Sequence, residues 1–270
     1  MKCIYDADGQ TLYQGDCLAV LAELKRQDQQ FDALISDPPY SSGGLHASSR
    51  KATTSSKYQS SDAKKKFPDF LGDNMDQRSY RAWAMLWLGA AIELLKPGGI
   101  VCLFTDWRQL PTMTDVLQGA GVLWHGVASW DKVNARPRLG GISQRCEFVV
   151  WGSKGKLERK GPSLPGALRH NLVPSARRVH CAEKPVELMT DLLKLIAWRE
   201  DAAVLDPFAG SGTTLVAARE LGLRAVGIEK SPEIAAIACE RLCGEQVTDT
   251  RHCPLNIPQQ SLHGSELDEG

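Results

Sequence analysis

Short apolar runs separated by amphipathic stretches are the feature that most constrains the fold of this chain. The runs are rich in Val, Ile, Leu and Ala, as in Phe31–Ser36 and Ile100–Thr105. A strand whose two faces are both buried reads as a continuous apolar run, and the helices that cover it read as amphipathic stretches. The sequence therefore predicts the α/β class, with a mostly parallel sheet that carries helices on both faces.

Seven strands are expected, and turn residues mark their ends. The longest helix is expected over Ser79–Leu95 and ends at Lys96-Pro97-Gly98-Gly99, because proline and paired glycines cannot continue a helix. Shorter helices are expected up to Leu24, over Lys184–Trp198, up to Leu221 and up to Cys243. The expected strands are Thr11–Gln14, Phe31–Ser36, Ile100–Thr105, Trp124–Trp130, Cys146–Trp151, Ala203–Leu205 and Arg224–Ile228.

Composition limits the organisation and the surroundings of the chain. Its 270 residues suit one large domain, expected over 1–243, with a basic polar insert at 41–76, a short polar segment at 152–180 and a disordered tail at 244–270. The apolar runs are shorter than the roughly 20 residues of a membrane span, and acids occupy the N-terminus where a signal peptide is apolar. We therefore expect a cytoplasmic protein without a membrane partner.

Neither the charge nor the cysteine content identifies a ligand. Lys+Arg and Asp+Glu both number 32, so a surface that binds a polyanion must concentrate its positive charge locally. The eight cysteines lack the spacing of a disulfide framework and are expected to be reduced. Cys239, Cys243, His252 and Cys253 lack the usual spacing of zinc ligands, so no metal is expected.

A glycine-containing turn, Asp206-Pro-Phe-Ala-Gly-Ser-Gly-Thr-Thr214, joins a buried strand to a helix. Its glycines allow the backbone to pass close to a ligand, and the helix N-terminus offers unpaired N–H groups. Glu229 ends the next strand, 17 residues after Gly212, where an acid can accept hydrogen bonds from ribose hydroxyls. The candidate cofactor-binding residues here are Asp206, Pro207, Phe208, Gly210, Ser211, Gly212, Thr213 and Glu229.

The residues that follow this turn narrow the class of cofactor. A P-loop would continue with Gly-Lys-Ser/Thr, but Thr213 and Thr214 follow Gly212. A dinucleotide-binding turn would carry a third glycine where the chain has Leu215. These residues favour a nucleoside-bearing cofactor without a pyrophosphate, although an ordinary strand–helix turn without a ligand stays open at this point.

A second turn, Asp37-Pro38-Pro39-Tyr40, follows the buried strand Phe31–Ser36 directly. Active sites of α/β sheets lie at the carboxyl ends of the strands. The prolines fix the backbone, so the Asp37 carboxylate and the Pro38 carbonyl can both face one amino group, while Tyr40 supplies a flat ring for stacking. For a single turn of this kind, a role as a plain turn former is the alternative.

Together the two turns resemble the amino-methyltransferases of DNA. Asp37-Pro38-Pro39-Tyr40 matches their catalytic motif, and Asp206–Thr214 is similar to their S-adenosylmethionine motif. The segment His180–Met189, with Lys184 and Pro185 at its centre, resembles the one that precedes the cofactor motif, although Cys181 replaces the usual proline after the histidine. Tyr13–Leu18 resembles the N-terminal motif, whose acid, here Asp16, reaches the cofactor adenine. The resemblance covers roughly residues 10 to 243 and implies a Rossmann-like methyltransferase fold.

The resemblance also implies a reaction. The catalytic motif precedes the cofactor motif, which is the order of the family's β group, with target recognition between the two. The family transfers a methyl group from S-adenosylmethionine to an exocyclic nitrogen of a flipped base. The catalytic residues are then Asp37, Pro38, Pro39 and Tyr40, and Asp16 and Lys184 join the cofactor-binding set. Asp rather than Ser at position 37 favours N6 of adenine over N4 of cytosine.

Double-stranded DNA is the expected partner, and a homodimer is allowed. Basic residues follow the catalytic turn and recur in the short segment at 152–180, whose length favours a short or relaxed recognition sequence. The candidate DNA-binding residues are Arg50, Lys51, Lys64, Lys65, Arg136, Arg138 and Arg177. Solvated loops without a ligand are the alternative for these runs.

Three other functions remain to be compared with this one. The same chemistry on RNA is the nearest, and the permuted order of motifs favours DNA. An inactive nucleic-acid-binding homologue is disfavoured because Asp37, Pro38, Tyr40 and both turn glycines are intact. A Rossmann oxidoreductase would leave the Asp37–Tyr40 turn without a role.

Overall fold

A nine-stranded mixed sheet forms the centre of the computed structural model, which describes residues 1–40, 75–135, 137–174, 178 and 183–244. The strand order is β1-β2-β9-β8-β3-β4-β6-β5-β7. The strands are β1 (Lys2–Ala7), β2 (Gln10–Gln14), β3 (Phe31–Ser36), β4 (Leu95–Thr105), β5 (Leu123–Lys132), β6 (Cys146–Ser153), β7 (Ala167–His170), β8 (Ala203–Asp206) and β9 (Arg224–Glu229). The sequence predicted the α/β class correctly.

Six helices in the described part of the chain pack on this sheet. They are α1 (Cys17–Arg26), α2 (Gln77–Glu93), α3 (Leu110–Gly119), α4 (Val186–Leu193), α5 (Thr213–Glu220) and α6 (Pro232–Cys243). Side chains cap three of the N-termini. Asp16 and Asp76 accept backbone N–H bonds at the starts of α1 and α2, and Ser231 does so at α6, where Pro232 is the first helical residue.

The sheet has two strands more than the seven expected, and both lie at its edges. β1 pairs antiparallel with β2, and β7 pairs parallel with β5. β1 carries alternating exposed residues, and β7 has only four residues, so neither has the continuous apolar run of a central strand. The five strands β2, β9, β8, β3 and β4 are parallel, whereas β6 is antiparallel to both β4 and β5.

The end of α2 and the start of β4 differ from the expectation. The helix ends at Glu93, and β4 already begins at Leu95. Lys96–Gly99 therefore lie inside the strand, where the register with β3 shifts between Phe31 and Ala33. The helix thus ends before the proline and the paired glycines, which form an irregularity of the strand rather than the turn that stops the helix.

Each face of the sheet is covered by its own hydrophobic cluster. One cluster includes residues of α4, α5 and α6, and the other includes residues of α1, α2 and α3. Trp87 and Trp130 are almost completely buried in these layers, whereas Trp107 and Trp124 are about half exposed. No helix in the described ranges is long and apolar enough to cross a membrane.

The order of the strands creates a switch point between β8 and β3. From β8 the chain continues to β9 on one side, and from β3 it continues to β4 on the other. In open α/β sheets the crevice at such a point, outside the carboxyl ends of the strands, is where ligands bind. Both turns selected from the sequence begin at this point, because β3 ends at Ser36 and β8 ends at Asp206.

Asp32 ties these two strands together at their opposite ends. Its buried carboxylate accepts a bond from the backbone N–H of Ala203 at 3.0 Å and forms ion pairs with Lys96 at 2.8 Å and Arg199 at 3.1 Å. Burial opposes ionisation of Asp32, but the bonds to Lys96, Ala203 and Arg199 outweigh it, so the pKa of Asp32 is lowered. The carboxylate therefore stabilises the fold above its unfolded pKa, and this stabilisation is lost as the pH falls through the lower folded pKa.

We predict that Asp32→Ala lowers the free energy of unfolding by about 3 kcal/mol at neutral pH, because it leaves Arg199 without its buried carboxylate. Urea denaturation monitored by circular dichroism measures this change. Asp115→Ala, at an exposed position of α3, is the control and should change the free energy by less than about 0.5 kcal/mol. Equal stability of the two variants would contradict this role of Asp32.

Candidate active site

A hydrogen bond between the ends of β3 and β8 joins the two turns. Ser36 Oγ donates to Asp206 Oδ1 at 2.5 Å, and Thr214 Oγ1 donates to Asp206 Oδ2 at 2.5 Å. The backbone N–H of Phe208 adds a third bond at 3.1 Å. Asp206 thus links the end of β3, its own turn and the first turn of α5.

The glycine turn has the backbone geometry that its sequence predicts. Gly210 and Gly212 have φ values of +53° and +80°, in the left-handed region that glycine adopts without strain. A Cβ atom on Gly212 would lie 3.2 Å from Ala238 Cβ of α6. Gly212 therefore lets the turn pack closely against α6 while α5 begins at Thr213.

Glu229, at the end of β9, accepts two backbone bonds beside this turn. Its Oε2 accepts the N–H of Gly210 at 3.0 Å, and its Oε1 accepts the N–H of Ser231 at 2.7 Å. Burial raises the pKa of Glu229 despite these bonds. The carboxylate is thus fixed against the glycine turn, with free lone pairs for further donors.

Arg241 of α6 holds the glycine turn from the other side. Its guanidinium donates to Thr213 Oγ1 at 3.0 Å and to the Ser211 carbonyl at 3.3 Å, and it pairs with Glu183 at 3.0 Å. Glu183 directly precedes Lys184, so Arg241 connects the glycine turn to the segment that carries this lysine.

The Asp206 carboxyl is almost completely buried, with 3% of its surface exposed. Burial raises its pKa to about 6, despite the bonds from Ser36, Thr214 and Phe208, and the nearby Asp37 contributes in the same direction. Asp206 therefore changes charge in the weakly acidic range, because its pKa lies well above that of an ordinary aspartate.

Asp37 is held by two side chains from different parts of the chain. Tyr40 Oη donates to Asp37 Oδ1, and Lys184 Nζ contacts Asp37 Oδ2. Glu147 of β6 lies on the other side, 3.3 Å from Lys184 Nζ and 3.2 Å from Tyr40 Oη. Lys132, at the end of β5, pairs with Glu147 at 2.5 Å. Two lysines and two carboxylates therefore alternate around the Asp37–Tyr40 turn.

The alternation of charge controls which groups are ionised. Glu147 contacts both lysines, which outweigh its burial and lower its pKa, and Asp37 and Glu147 together raise the pKa of Lys184 despite its burial. Asp37 shares Lys184 with Glu147, and burial, with the charge of Glu147, raises its pKa. Burial and the two carboxylates also raise the pKa of Tyr40, so its hydroxyl stays protonated.

Both turns line one cavity of about 570 Å³ at the carboxyl edge of the sheet, a volume typical of small-molecule sites. Its lining includes Asp16, Glu229 and Lys230, which follow or end β2 and β9, and Trp130, Lys132 and Glu147 of β5 and β6, on the other side of the switch point. The cavity is lined by every predicted site residue that the structure describes except Gly212 and Arg138. Gly212 lies behind the lining, against α6.

Three of the predicted site residues make further contacts that fix the positions of their side chains. Asp16 caps α1 and pairs with Lys230 at 3.0 Å. Phe208 packs edge-on against Trp87, with ring centroids 4.9 Å apart, as well as lining the cavity. Lys184, expected beside the cofactor, lines the cavity and contacts Asp37.

Most predicted DNA-binding residues lie outside the described residues: Arg50, Lys51, Lys64, Lys65, Arg136 and Arg177. The same holds for 41–74 of the basic insert, for 245–270 of the tail, and for His252 and Cys253. Arg138 is exposed in the loop between β5 and β6. Of the expected recognition segment, 152–174 and 178 are described, and Ala167–His170 form the edge strand β7.

The sequence reasoning missed Ser36, Lys132, Glu147 and Arg241. A signal existed for Glu147, since it is an acid within the apolar run of β6. Its meaning depended on the direction of β6, because only an antiparallel β6 begins at the carboxyl edge of β4, where Glu147 meets Tyr40. Arg241 belongs to an ordinary helical pattern, and nothing in the sequence distinguished it.

Known proteins resemble this chain over most of its length. The chain is 27% identical to the type II methyltransferase M.HindIII of Haemophilus influenzae, covering 90% of this chain and 95% of the relative. It is 25% identical to M2.DpnII of Streptococcus pneumoniae, covering 92% and 95%. Among solved structures, the PvuII DNA methyltransferase (cytosine-N4-specific) superposes with a TM-score of 0.70 at 16% identity, covering 92% of this chain and 91% of that one.

The structure of the M1.HpyAVI–SAM complex superposes with a TM-score of 0.64 at 22% identity, covering 86% of this chain and 98% of that one. Both superpositions support the Rossmann-like methyltransferase fold. The profile of the N6/N4 family described as DNA methylase matches residues 31–240, which include both turns and the strands between them. The chain therefore belongs to the DNA methylase family of N6 and N4 amino-methyltransferases.

Proposed function

We propose that this DNA methyltransferase transfers a methyl group from S-adenosylmethionine to N6 of an adenine that is flipped out of duplex DNA. The observation that supports this most directly is the placement of the Asp37–Tyr40 turn and the glycine turn in one cavity, joined through Ser36 and Asp206. A nucleotide-sized cofactor and an unpaired base must lie side by side for this reaction, and a single cavity lined by both turns supports such an arrangement.

The residues of the glycine turn fit the proposed cofactor. Glu229 has lone pairs for ribose hydroxyls, and the left-handed Gly210 lets the backbone come close to a ligand. Asp206 and Asp37 add negative charge to the cavity, which suits a ligand that carries a sulfonium and an ammonium group. When bound, S-adenosylmethionine supplies an electrophilic methyl group.

The catalytic turn is suited to positioning an exocyclic amine. Such an amine is a poor nucleophile because its lone pair is delocalised into the ring. Asp37 and the Pro38 carbonyl would accept its two N–H bonds, and an ionised carboxylate keeps free lone pairs beside its bonds to Tyr40 and Lys184. Aimed acceptors of this kind supply much of the rate in enzymes that use positioning.

Tyr40 and Lys184 keep Asp37 in place before the base arrives. The Tyr40 ring lies 5.6 Å from Lys184 Nζ, which also lies 5.3 Å from the Phe104 ring. The ring of Tyr40 would stack on the flipped base, since a base cannot be modified inside a duplex. The aspartate at position 37 supports adenine over cytosine, because the serine form of the motif is commoner among cytosine-N4 enzymes.

We predict that the purified protein places labelled methyl groups on N6 of adenine in unmethylated DNA. Asp37→Ala should lower the rate by at least about 100-fold, because one of the two acceptors is lost. Mass spectrometry of digested nucleosides identifies the product. Asp115→Ala on α3 is the control and should retain full activity. Label on N4 of cytosine would contradict the adenine assignment, and absence of label on DNA would contradict the function.

We predict that cofactor affinity falls as the pH drops through about 6, the pKa of Asp206. Protonation removes its negative charge, so the dissociation constant of S-adenosylmethionine should be about tenfold higher at pH 5 than at pH 7.5. Isothermal titration calorimetry without DNA measures it. Asp206→Asn should bind weakly at both pH values, and a wild-type affinity that does not vary with pH would refute the involvement of Asp206.

Glu147→Gln provides a separate test of the charge network. The charge of Glu147 raises the pKa of Asp37, so its removal should move the acidic limb of the pH–rate profile to lower pH. Glu240→Gln, at an exposed position of α6, should leave the profile unchanged. A shift to higher pH, or none, would show that Glu147 does not act on the ionisation of Asp37.

A further inference from the structure

The loop between β5 and β6 carries the two most exposed large apolar side chains among the described residues. Leu139 and Ile142 are 94% and 90% exposed. Single exposed leucines are common on protein surfaces. Here two such side chains flank Gly140 and Gly141 at one loop tip. They form an apolar tip that no other described residue of this chain covers.

The base of this loop is fixed at the rim of the cavity. Lys132 N donates to the Arg145 carbonyl at 3.0 Å, and Arg145 pairs with Asp131 at 2.7 Å. Asn134 exchanges two hydrogen bonds with the backbone of Leu172, at 2.7 and 3.3 Å. The stem is therefore held from both sides, and the tip is presented on a defined support.

The tip is itself a closed turn. The backbone N–H of Arg138 donates to Ser143 Oγ at 3.0 Å, and Gly140 has a φ of +68°. Lys132, Gln144 and Cys146, on both sides of the loop, line the cavity. Ile142 is two residues from Gln144, and two residues span at most about 7 Å, so the apolar tip lies beside the rim of the cavity.

The charge of the loop indicates which partner it meets. Residues 133–145 contain three arginines and no acid, and only Arg145 is paired with a carboxylate, that of Asp131 at the base of the loop, among the described residues. The arginines of such a loop complement a phosphate backbone, and its apolar tip fits a gap in a base stack. Apolar side chains that insert between base steps are a recurring way to deform duplex DNA. A flipped adenine leaves such a gap beside the cavity that receives it.

We propose that Leu139 and Ile142 form a wedge that enters the base stack of duplex DNA at the position vacated by the flipped base, with Arg138 at the adjacent phosphate. This inference rests on the proposed function, because it assumes that the target base leaves the duplex. The wedge lowers the cost of flipping and does not take part in methyl transfer itself.

The test uses the double variant Leu139→Ser with Ile142→Ser, and Leu86→Ser as the control, since Leu86 is an exposed leucine of α2 outside the cavity lining. The substrate is a duplex that contains the site mapped by sequencing methylated DNA. A second duplex has an abasic position opposite the target adenine, where flipping no longer breaks a base pair. A third carries 2-aminopurine as the target, whose fluorescence rises when it is unstacked.

The double variant should methylate the paired duplex at least about tenfold more slowly than wild type, because unstacking is no longer compensated. It should methylate the abasic duplex at the wild-type rate and give little 2-aminopurine fluorescence. An unchanged rate on the paired duplex would overturn the wedge. An equal loss on both duplexes would also overturn it, in favour of a role in overall DNA affinity.

Two controls distinguish the wedge from a dimer contact and from a failure of the proposed function. Light scattering of wild type and variant reports the oligomeric state, and a dimer that the double variant dissociates would assign the tip to a second copy of the chain instead. Absence of methylation by the wild-type protein on either duplex would refute the proposed function, and the wedge with it. Methylation by the wild type together with wild-type rates in the variant would refute the wedge alone.

Discussion

The bonds that converge on Asp206 are the constraint on which the rest of the site depends. Ser36 ends β3, Thr214 opens α5, and both donate to this one buried carboxyl. The two turns can therefore not move independently, although 170 residues separate Ser36 from Asp206 along the chain. At the other end of the same strands, Asp32 binds the N–H of Ala203, so the central pair is fixed at both ends.

This arrangement concentrates buried carboxyl groups at the switch point. The free-energy cost of ionising them away from water affects the charge of the site. Asp37, Asp206 and Glu229 all have raised pKa values, with burial as the first cause in each case. Lys184 offsets part of that cost for Asp37, and a cationic ligand would offset more for Asp206. A positively charged cofactor bound beside Asp206 would lower its pKa, so below about pH 6 cofactor binding would be coupled to the release of its proton.

The sequence predicted the parallel centre of the fold because buried strands and glycine turns leave strong local signals. The predicted strand Phe31–Ser36 has the same bounds as β3 in the structure. The edge strands β1 and β7 were not predicted, because β7 is short and β1 lacks a continuous apolar run. The turns around Asp37 and Gly210 were likewise recognisable from local order. The roles of Glu147 and Arg241 were not, since they depend on the direction of β6 and on the packing of α6.

The segment 152–180, which is expected to recognise the target, has few residues free to do so, because much of its described part packs against the sheet. Leu157, Leu164 and Leu172 pack against the core cluster, and Leu168 is buried in β7 at the edge of the sheet. These leucines anchor residues 157–172, so only the side chains between them would be free to face DNA. Each base edge that is read needs its own aimed side chain. A segment that must also cover a sheet edge has few side chains free for this, which supports the hypothesis of a short or relaxed recognition sequence.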